Sequence, residues 1–109
     1  MMRRFAALRR QADFSRIRRH GRRLPTAALT IYRAESLPAD RTALVGITVS
    51  KSIGKAVLRN RLRRRLAAIV HESLASNGVM RLLIVARPPA SQASFRDLRA
   101  QVASALQRA

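Results

Sequence analysis

The feature that most constrains this chain is a strongly basic stretch from Lys51 to Leu66, with the sequence KSIGKAVLRNRLRRRL. It contains seven lysines and arginines and no acidic residue, and the acid-free region extends from Arg41 to His71. Four apolar residues recur at helical spacing, so one side of the segment can pack on a core while the cations occupy the other sides. These are Leu58, Leu62, Leu66 and Ile69.

Such a helix is costly to form, because like charges four residues apart repel and positive charge in a first turn opposes the helix dipole. Helical spacing predicts Arg61, Arg64 and Arg65 along one flank, with Arg59 and Arg63 along the other. A solvated helix face normally alternates in sign, and this one does not. The pattern therefore favours contact with a polyanion over a helix that merely faces solvent.

The composition supports the same interpretation. A chain of 109 residues with a net charge of +18 has room for one domain, here 1–109, and repels itself strongly enough that a polyanionic partner is expected. Arginine outnumbers lysine 21 to 2, and the planar guanidinium grips phosphate and stacks on bases. Residues 1–10 form a basic N-terminal segment whose order without a partner the sequence does not decide.

Several classes of protein are disfavoured. The chain has no cysteine, so disulfides and cysteine zinc sites are excluded and an intracellular, cytoplasmic location is the default. No apolar run approaches membrane-spanning length, so no membrane partner is expected. The arginine-rich start superficially resembles a transit peptide, but it contains little serine and joins the domain without a linker, so we assign it to the fold.

Periodicity along the chain predicts a mixed helix–strand domain. The expected order is αβββαβα, with one small mixed four-stranded sheet and helices packed mainly on one side. On the strand 41–50, alternate residues from Leu44 to Ser50 make the face opposite the core mostly small, a shallow floor that another group could occupy. The predicted helices are Gln11–Arg19, Lys55–Ser76 and one from Ser94, capped by Ser94 with Asp97; the strands are 21–25, 26–34, 41–50 and 79–86.

Catalysis by protein side chains is not expected. The five acids are scattered singly, with no reason in this layout to converge on a metal ion. His20 and His71 are isolated and fit surface or helix-end positions, and Gly54-Lys55 lacks the spacing of a phosphate loop. The sequence therefore predicts no catalytic residue, no metal site and no cofactor bound by the protein itself.

The few aromatic residues suggest a second kind of contact. Phe14 and Tyr32 both lie near basic residues, on elements that could border the small-residue face of the sheet. Base stacking beside arginines is how single-stranded nucleic acid is commonly held. A simple core role for Phe14 is equally compatible with the pattern.

The stretch from Gly46 to Leu66, GITVSKSIGKAVLRNRLRRRL, resembles the signature of the protein subunit of bacterial ribonuclease P. That signature has V/S-K, then G-x-A-V-x-R-N-R, then a basic cluster. Two weaker matches stand in the right order: Asp13-Phe14 followed by Gly21 resembles the family's opening, with Ile17 in its valine position, and Ala86-Arg87-Pro88-Pro89-Ala90 resembles its A-R-x-x-A segment. The resemblance extends from about Leu8 to Leu106.

The resemblance implies an RNA-binding subunit that assists a catalytic RNA in removing the 5′ leader from precursor tRNA, with magnesium expected for the RNA-catalysed reaction. By similarity, leader binding would fall to Phe14, Ile17, Arg18 and Tyr32. The residues that would face the catalytic RNA are Lys51, Lys55, Arg59, Asn60, Arg61, Arg63, Arg64 and Arg65.

The chain departs from the family at two positions. Arg18 stands where many relatives place an aromatic, so stacking there becomes cation–π or phosphate contact, and Ala67 stands where many carry another arginine. The resemblance also implies a left-handed strand–helix–strand crossover, against the general preference for right-handed ones.

Two other interpretations use the same charge. A structural RNA-binding protein of the ribosome, or of another ribonucleoprotein, needs the basic helix but leaves a leader cleft unexplained. A DNA-binding transcription factor needs two adjacent helices, whereas predicted strands flank the basic helix on both sides.

Overall fold

The computed structural model describes residues 4–108 and has the expected α+β architecture, with one more strand than the sequence indicated. Short 3₁₀ turns at Lys51–Ile53 and Pro88–Ser91 precede the second and third helices. The strands are β1 (Phe5–Ala7), β2 (Arg22–Pro25), β3 (Leu29–Glu35), β4 (Ala43–Val49) and β5 (Met80–Ala86); the helices are α1 (Gln11–His20), α2 (Ala56–Ser73) and α3 (Phe95–Arg108).

The sheet has five strands in the order β1-β4-β5-β3-β2, so the prediction of four strands was wrong. The extra strand, β1, lies in the basic N-terminal segment and pairs in parallel with β4, from Phe5 opposite Ala43 to Ala7 opposite Val45. Its three residues are too few to show a period of two, which is why the pattern gave no signal. β4 and β5 are parallel neighbours joined through α2, whereas β2–β3 and β3–β5 are antiparallel.

The main core lies between the sheet and the pair α2–α3. Alternate residues of the strands point into it, and Leu29, Ile31, Leu82 and Ile84 are fully buried. The run VMRLLIVA was predicted as a strand interior to the sheet, and β5 does lie between β4 and β3. From the helices the core receives Leu62, Leu66, Ile69, Val70, Leu98 and Val102.

The opposite face of the sheet carries α1, so two helices pack on one side and one on the other. A smaller buried cluster of Leu8, Ile17 and Leu83 joins this helix to the sheet. The backbone N–H of Leu8 donates to the carbonyl of Val45 at 3.0 Å, which holds the segment before α1 against the edge of β4. This second face is the floor that alternation in 41–50 predicted.

The ends of the helices follow the local sequence closely. α2 ends at Ser73 and not at Ser76; a turn follows, in which the Asn77 side chain donates to the Ser73 carbonyl at 2.7 Å and Gly78 adopts φ 73°. At α3, the backbone N–H of Asp97 donates to Ser94 Oγ at 3.0 Å, which is one of the two hydrogen bonds of the predicted capping box; the reciprocal bond from the Ser94 N–H to the Asp97 carboxylate is not formed among the described residues. No helix within residues 4–108 combines the length and the apolar character needed to cross a membrane.

Candidate nucleic-acid interface

The cations of α2 and the turn before it remain on the protein surface, as the apolar stripe predicted. Leu62, Leu66 and Ile69 turn inward, and burial of this stripe fixes the orientation of the helix. We call Lys51, Lys55 and the five arginines between Arg59 and Arg65 the α2 ridge. Lys51, Lys55, Asn60, Arg61 and Arg64 are exposed, while Arg59, Arg63 and Arg65 are half-buried.

Hydrogen bonds orient two of these arginines without neutralising them. Arg59 Nε donates to the carbonyl of Gly54 at 3.2 Å. Arg63 donates to Asn60 Oδ1 at 2.9 Å and to the carbonyl of Val49 at 3.4 Å. All three acceptors are uncharged, and no carboxylate in the described part of the chain lies within 4.0 Å of a ridge cation. Within residues 4–108, no acidic side chain therefore neutralises the ridge.

Two grooves border α2, one on each flank. Arg61 and Arg65 line a groove of about 200 Å³. Its other wall includes Ala90 and Ser91 of the second 3₁₀ turn, and Gln92, which follows that turn. A groove of about 300 Å³ on the other flank is lined by Arg63 and Arg64, by Gly46 and Ile47 of β4, and by Phe5, Ala7, Leu8, Phe14, Val45 and Ala67.

Arg64 was predicted on the flank of Arg61 and Arg65, and the structure shows that it also borders the groove on the other side. At 100° per residue, Arg64 lies between the two flanks, and its side chain lines the groove that also contains Arg63. The second groove thus joins Phe14, which the resemblance links to the leader, to two arginines that it links to the catalytic RNA.

The α1 side of the sheet has a floor built from rows of side chains that run across the strands. Strand registers align Thr48, Val85, Thr30 and Pro25 in one row. The next row is Gly46, Leu83, Tyr32 and Arg23. Thr48 and Val85 keep part of their surface exposed, so the first row provides a shallow, uncharged floor beside α1.

The leader residues proposed by resemblance border this floor in different ways. Phe14 is half-buried against Gly46, where a Cβ would lie 2.6 Å from Phe14 Cε1, so glycine is what lets the ring approach the sheet. Ile17 of α1 is only 1% exposed and packs against Leu8 and Leu83, so it can shape the cleft but offers it no surface. Tyr32 is half-buried beside the same cluster, and Arg18 is exposed.

A buried ion pair network, which the sequence pattern did not predict, fastens α1 to the sheet. Arg81, 6% exposed on β5, bonds Asp40 through Nε at 2.9 Å and Nη2 at 3.0 Å. Its Nη1 donates to Asp13 on α1 at 3.1 Å. The hydrogen bond from Arg81, aided by one from the Leu37 N–H, lowers the pKa of Asp40 from 3.8 to about 2. The same bond raises the pKa of Arg81.

Two of the five acids therefore do converge, contrary to expectation. They converge on a cation rather than on a metal ion, because β5 brings Arg81 between α1 and the loop before β4. The signal in the sequence was the single arginine inside the apolar run VMRLLIVA, since a buried charge requires a partner. Within residues 4–108, no three histidines or acids lie close enough together to hold a metal ion.

The histidines lie at helix ends, as predicted. His20 is the exposed last residue of α1. His71 lies in the last turn of α2, where its Nδ1 accepts a hydrogen bond from the Arg4 N–H at 3.0 Å. Arg87, in the segment A-R-x-x-A, has a structural role, because its side chain donates to the carbonyls of Thr26 and Ala27 and so holds the turn before β3.

Comparison with known proteins gives one consistent result. A family model described as Ribonuclease P matches residues 2–109. A ribonuclease P protein component from Thermobifida fusca is 40% identical over 106 residues, covering 91% of this chain and 72% of the relative. One from Bacillus velezensis is 31% identical over 90 residues, covering 83% of this chain and 77% of the relative.

Solved structures show the same fold. The RNase P protein of Staphylococcus aureus superposes with a TM-score of 0.83 at 24% identity, covering 94% of this chain and 93% of that one. The RNase P protein of Thermotoga maritima, in complex with 1-(4-fluorophenyl)-2-thiourea, gives 0.82 at 22% identity, with 94% and 98% covered.

Proposed function

The chain belongs to the ribonuclease P protein family, as a protein component of the bacterial type, and from this premise we propose how its surfaces divide the work. The α2 ridge binds the catalytic RNA, and the cleft between α1 and the sheet binds the single-stranded 5′ leader of precursor tRNA. The observation that carries the proposal is a ridge of seven cations with no carboxylate partner in the described part of the chain.

The chemistry of the ridge suits a folded RNA. Five of its cations are arginines, whose planar fork can contact two phosphate oxygens at once. The hydrogen bonds from Arg59 to Gly54 and from Arg63 to Asn60 and Val49 hold these side chains in place, so less conformational entropy is lost on binding. Exposed Arg61 and Arg64 remain free to adapt to the phosphate backbone.

The cleft suits a single strand. Phe14 and Tyr32 are each half-buried beside a floor of uncharged residues, and exposed Arg18 adds a positive charge. Stacking on aromatic rings accepts any base, so the leader would be held without a requirement for a particular sequence.

The protein would act by positioning RNA, while the catalytic RNA, with magnesium, performs the cleavage in the cytoplasm. We also propose, from the family resemblance, that the connection from β4 through α2 to β5 is left-handed. Family membership decides against the structural RNA-binding and transcription-factor interpretations.

The test compares variants in a reaction containing the catalytic RNA and precursor tRNA at low magnesium. Arg61→Ala should weaken binding of the protein to the catalytic RNA. Phe14→Ala should weaken binding of leader-bearing tRNA relative to mature tRNA. Arg96→Ala, an exposed arginine on α3, provides a control for the loss of one charge.

The results of this test distinguish the role of the α2 ridge from the role of the cleft. If the folded protein fails to enhance cleavage, the whole proposal is wrong. If Phe14→Ala weakens both tRNAs equally, the cleft assignment is wrong while the α2 ridge can still bind the catalytic RNA. If Arg61→Ala behaves like the Arg96 control, the ridge assignment fails.

A further inference from the structure

Arg23, which neither the sequence pattern nor the family resemblance singled out, stands at the edge of the cleft floor. It lies on β2 directly opposite Tyr32 in the antiparallel pair with β3. Directly opposed residues project from the same face of a sheet, with Cβ atoms about 5 Å apart. Arg23 therefore lies beside Tyr32 on the α1 side, and its side chain is exposed.

The charge of Arg23 is not balanced by any acidic side chain in the described part of the chain. The two acids on this side of the sheet, Asp13 and Asp40, are both engaged by Arg81. Glu35 is on β3, but it is three residues from Tyr32 and so points to the opposite face. Within residues 4–108 no carboxylate lies within 4.0 Å of Arg23. An exposed cation beside a half-buried ring is the combination that binds a phosphate next to a stacked base.

The position of Arg23 also gives the cleft a direction. The α2 ridge borders the β4 end of the floor, because Arg63 and Arg64 share a groove with Gly46. Arg23 lies at the other end of the same row, three strand spacings away, or about 14 Å. Gly46 and Leu83 of this row are buried beneath α1, so a strand that leaves the catalytic RNA at the β4 end would reach Arg23 over the neighbouring row of Thr48, Val85, Thr30 and Pro25.

We propose that Arg23 is a further leader-binding residue, which contacts the phosphate of a nucleotide distal to the cleavage site, next to the base that Tyr32 accepts. The inference rests on the proposed function, since it assumes that the leader occupies the cleft. It adds that the leader runs across the sheet from β4 to β2 and that its distal part is held by the edge strand.

The experiment measures binding of precursor tRNA to the assembled protein–RNA complex, with two leaders. One leader is about eight nucleotides long, within the range that single-strand grooves cover, and the other is a single nucleotide that cannot cross the floor. Arg23→Ala should weaken binding of the long leader by about three- to tenfold, as expected for one solvent-exposed hydrogen-bonded contact, and leave the short leader unchanged. Arg23→Lys should recover part of the loss, because it restores the charge. Arg96→Ala serves as the control for net charge.

Three results would overturn the inference, and they remain distinguishable from failure of the proposed function. Equal loss for both leaders would mean that Arg23 contacts another part of the RNA. No loss for either leader, with Phe14→Ala still selective for leader-bearing tRNA, would remove Arg23 from the cleft but keep the cleft. If neither Arg23→Ala nor Phe14→Ala selectively weakened binding of leader-bearing tRNA, the proposal that the leader occupies the cleft would be wrong.

Discussion

Replacing Asp40 by asparagine removes one negative charge from the Arg81 network and changes the shape of the side chain very little. The Asp40 carboxylate accepts two hydrogen bonds from Arg81 and one from the Leu37 N–H, and its side chain is 7% exposed. Arg81 would then be left, 6% exposed, with Asp13 as its only charged partner among the described residues. We expect the variant to fold with reduced stability.

The magnitude follows from the pKa of Asp40. A decrease from 3.8 to about 2 corresponds to about 2.4 kcal/mol of stability above pH 5. An asparagine side chain at this position can still accept part of these hydrogen bonds, so the expected loss is about 1.5 to 2.4 kcal/mol. Because the folded-state pKa is depressed, this stability is present above pH 3.8 and disappears as the pH falls toward 2, with about half remaining at pH 3.

The assay is urea unfolding of the protein and of Asp40→Asn between pH 3 and pH 7 at constant ionic strength. Glu72→Gln is the matched control, since it also raises the net charge by one but removes an exposed pair with Arg99 at 3.4 Å. That control should cost at most about 0.5 kcal/mol. A difference between the protein and Asp40→Asn that stayed constant across this pH range, or that equalled the control, would refute the reasoning.

Three further outcomes are expected. Gly46→Val should lower stability and the preference for leader-bearing tRNA together, because its side chain must displace Phe14; unchanged selectivity would contradict this. Ser94→Ala should cost about 1 kcal/mol of unfolding free energy through loss of the α3 cap, without affecting RNA binding. Arg61→Ala should reduce the salt dependence of binding to the catalytic RNA by about one ion, and an unchanged slope in a titration of affinity against salt would show that Arg61 contacts no phosphate.

Much of the fold was readable from periodicity, because long amphipathic or apolar segments produce clear signals. The stripe from Leu58 to Ile69 predicted α2 and its orientation, and the continuous run 79–86 predicted β5 inside the sheet. β1 could not be predicted, since three residues show no period and its partner β4 begins only at Ala43, far along the chain.

The candidate nucleic-acid interface was also predictable from the sequence only in part. The α2 ridge was visible because its charge is concentrated within one segment, and its exposure without carboxylate partners in residues 4–108 agrees with that prediction. Arg81 with Asp13 and Asp40, and Arg23 beside Tyr32, depend on strand register, which brings together residues distant in the sequence. No local pattern contains this information, although a lone arginine within an apolar strand was a clue.

The helices on the two faces of the sheet bury very different numbers of residues. Ile17 is the only fully buried residue of α1, whereas α2 buries five residues and α3 buries four. Although the Asp13–Arg81 ion pair also holds α1, we expect this helix to open at a smaller free-energy cost than α2, and its amide hydrogens to exchange with solvent before those of α2. The helix that forms one wall of the proposed leader cleft is thus the most easily opened of the three, and an RNA strand bound against it would increase its order.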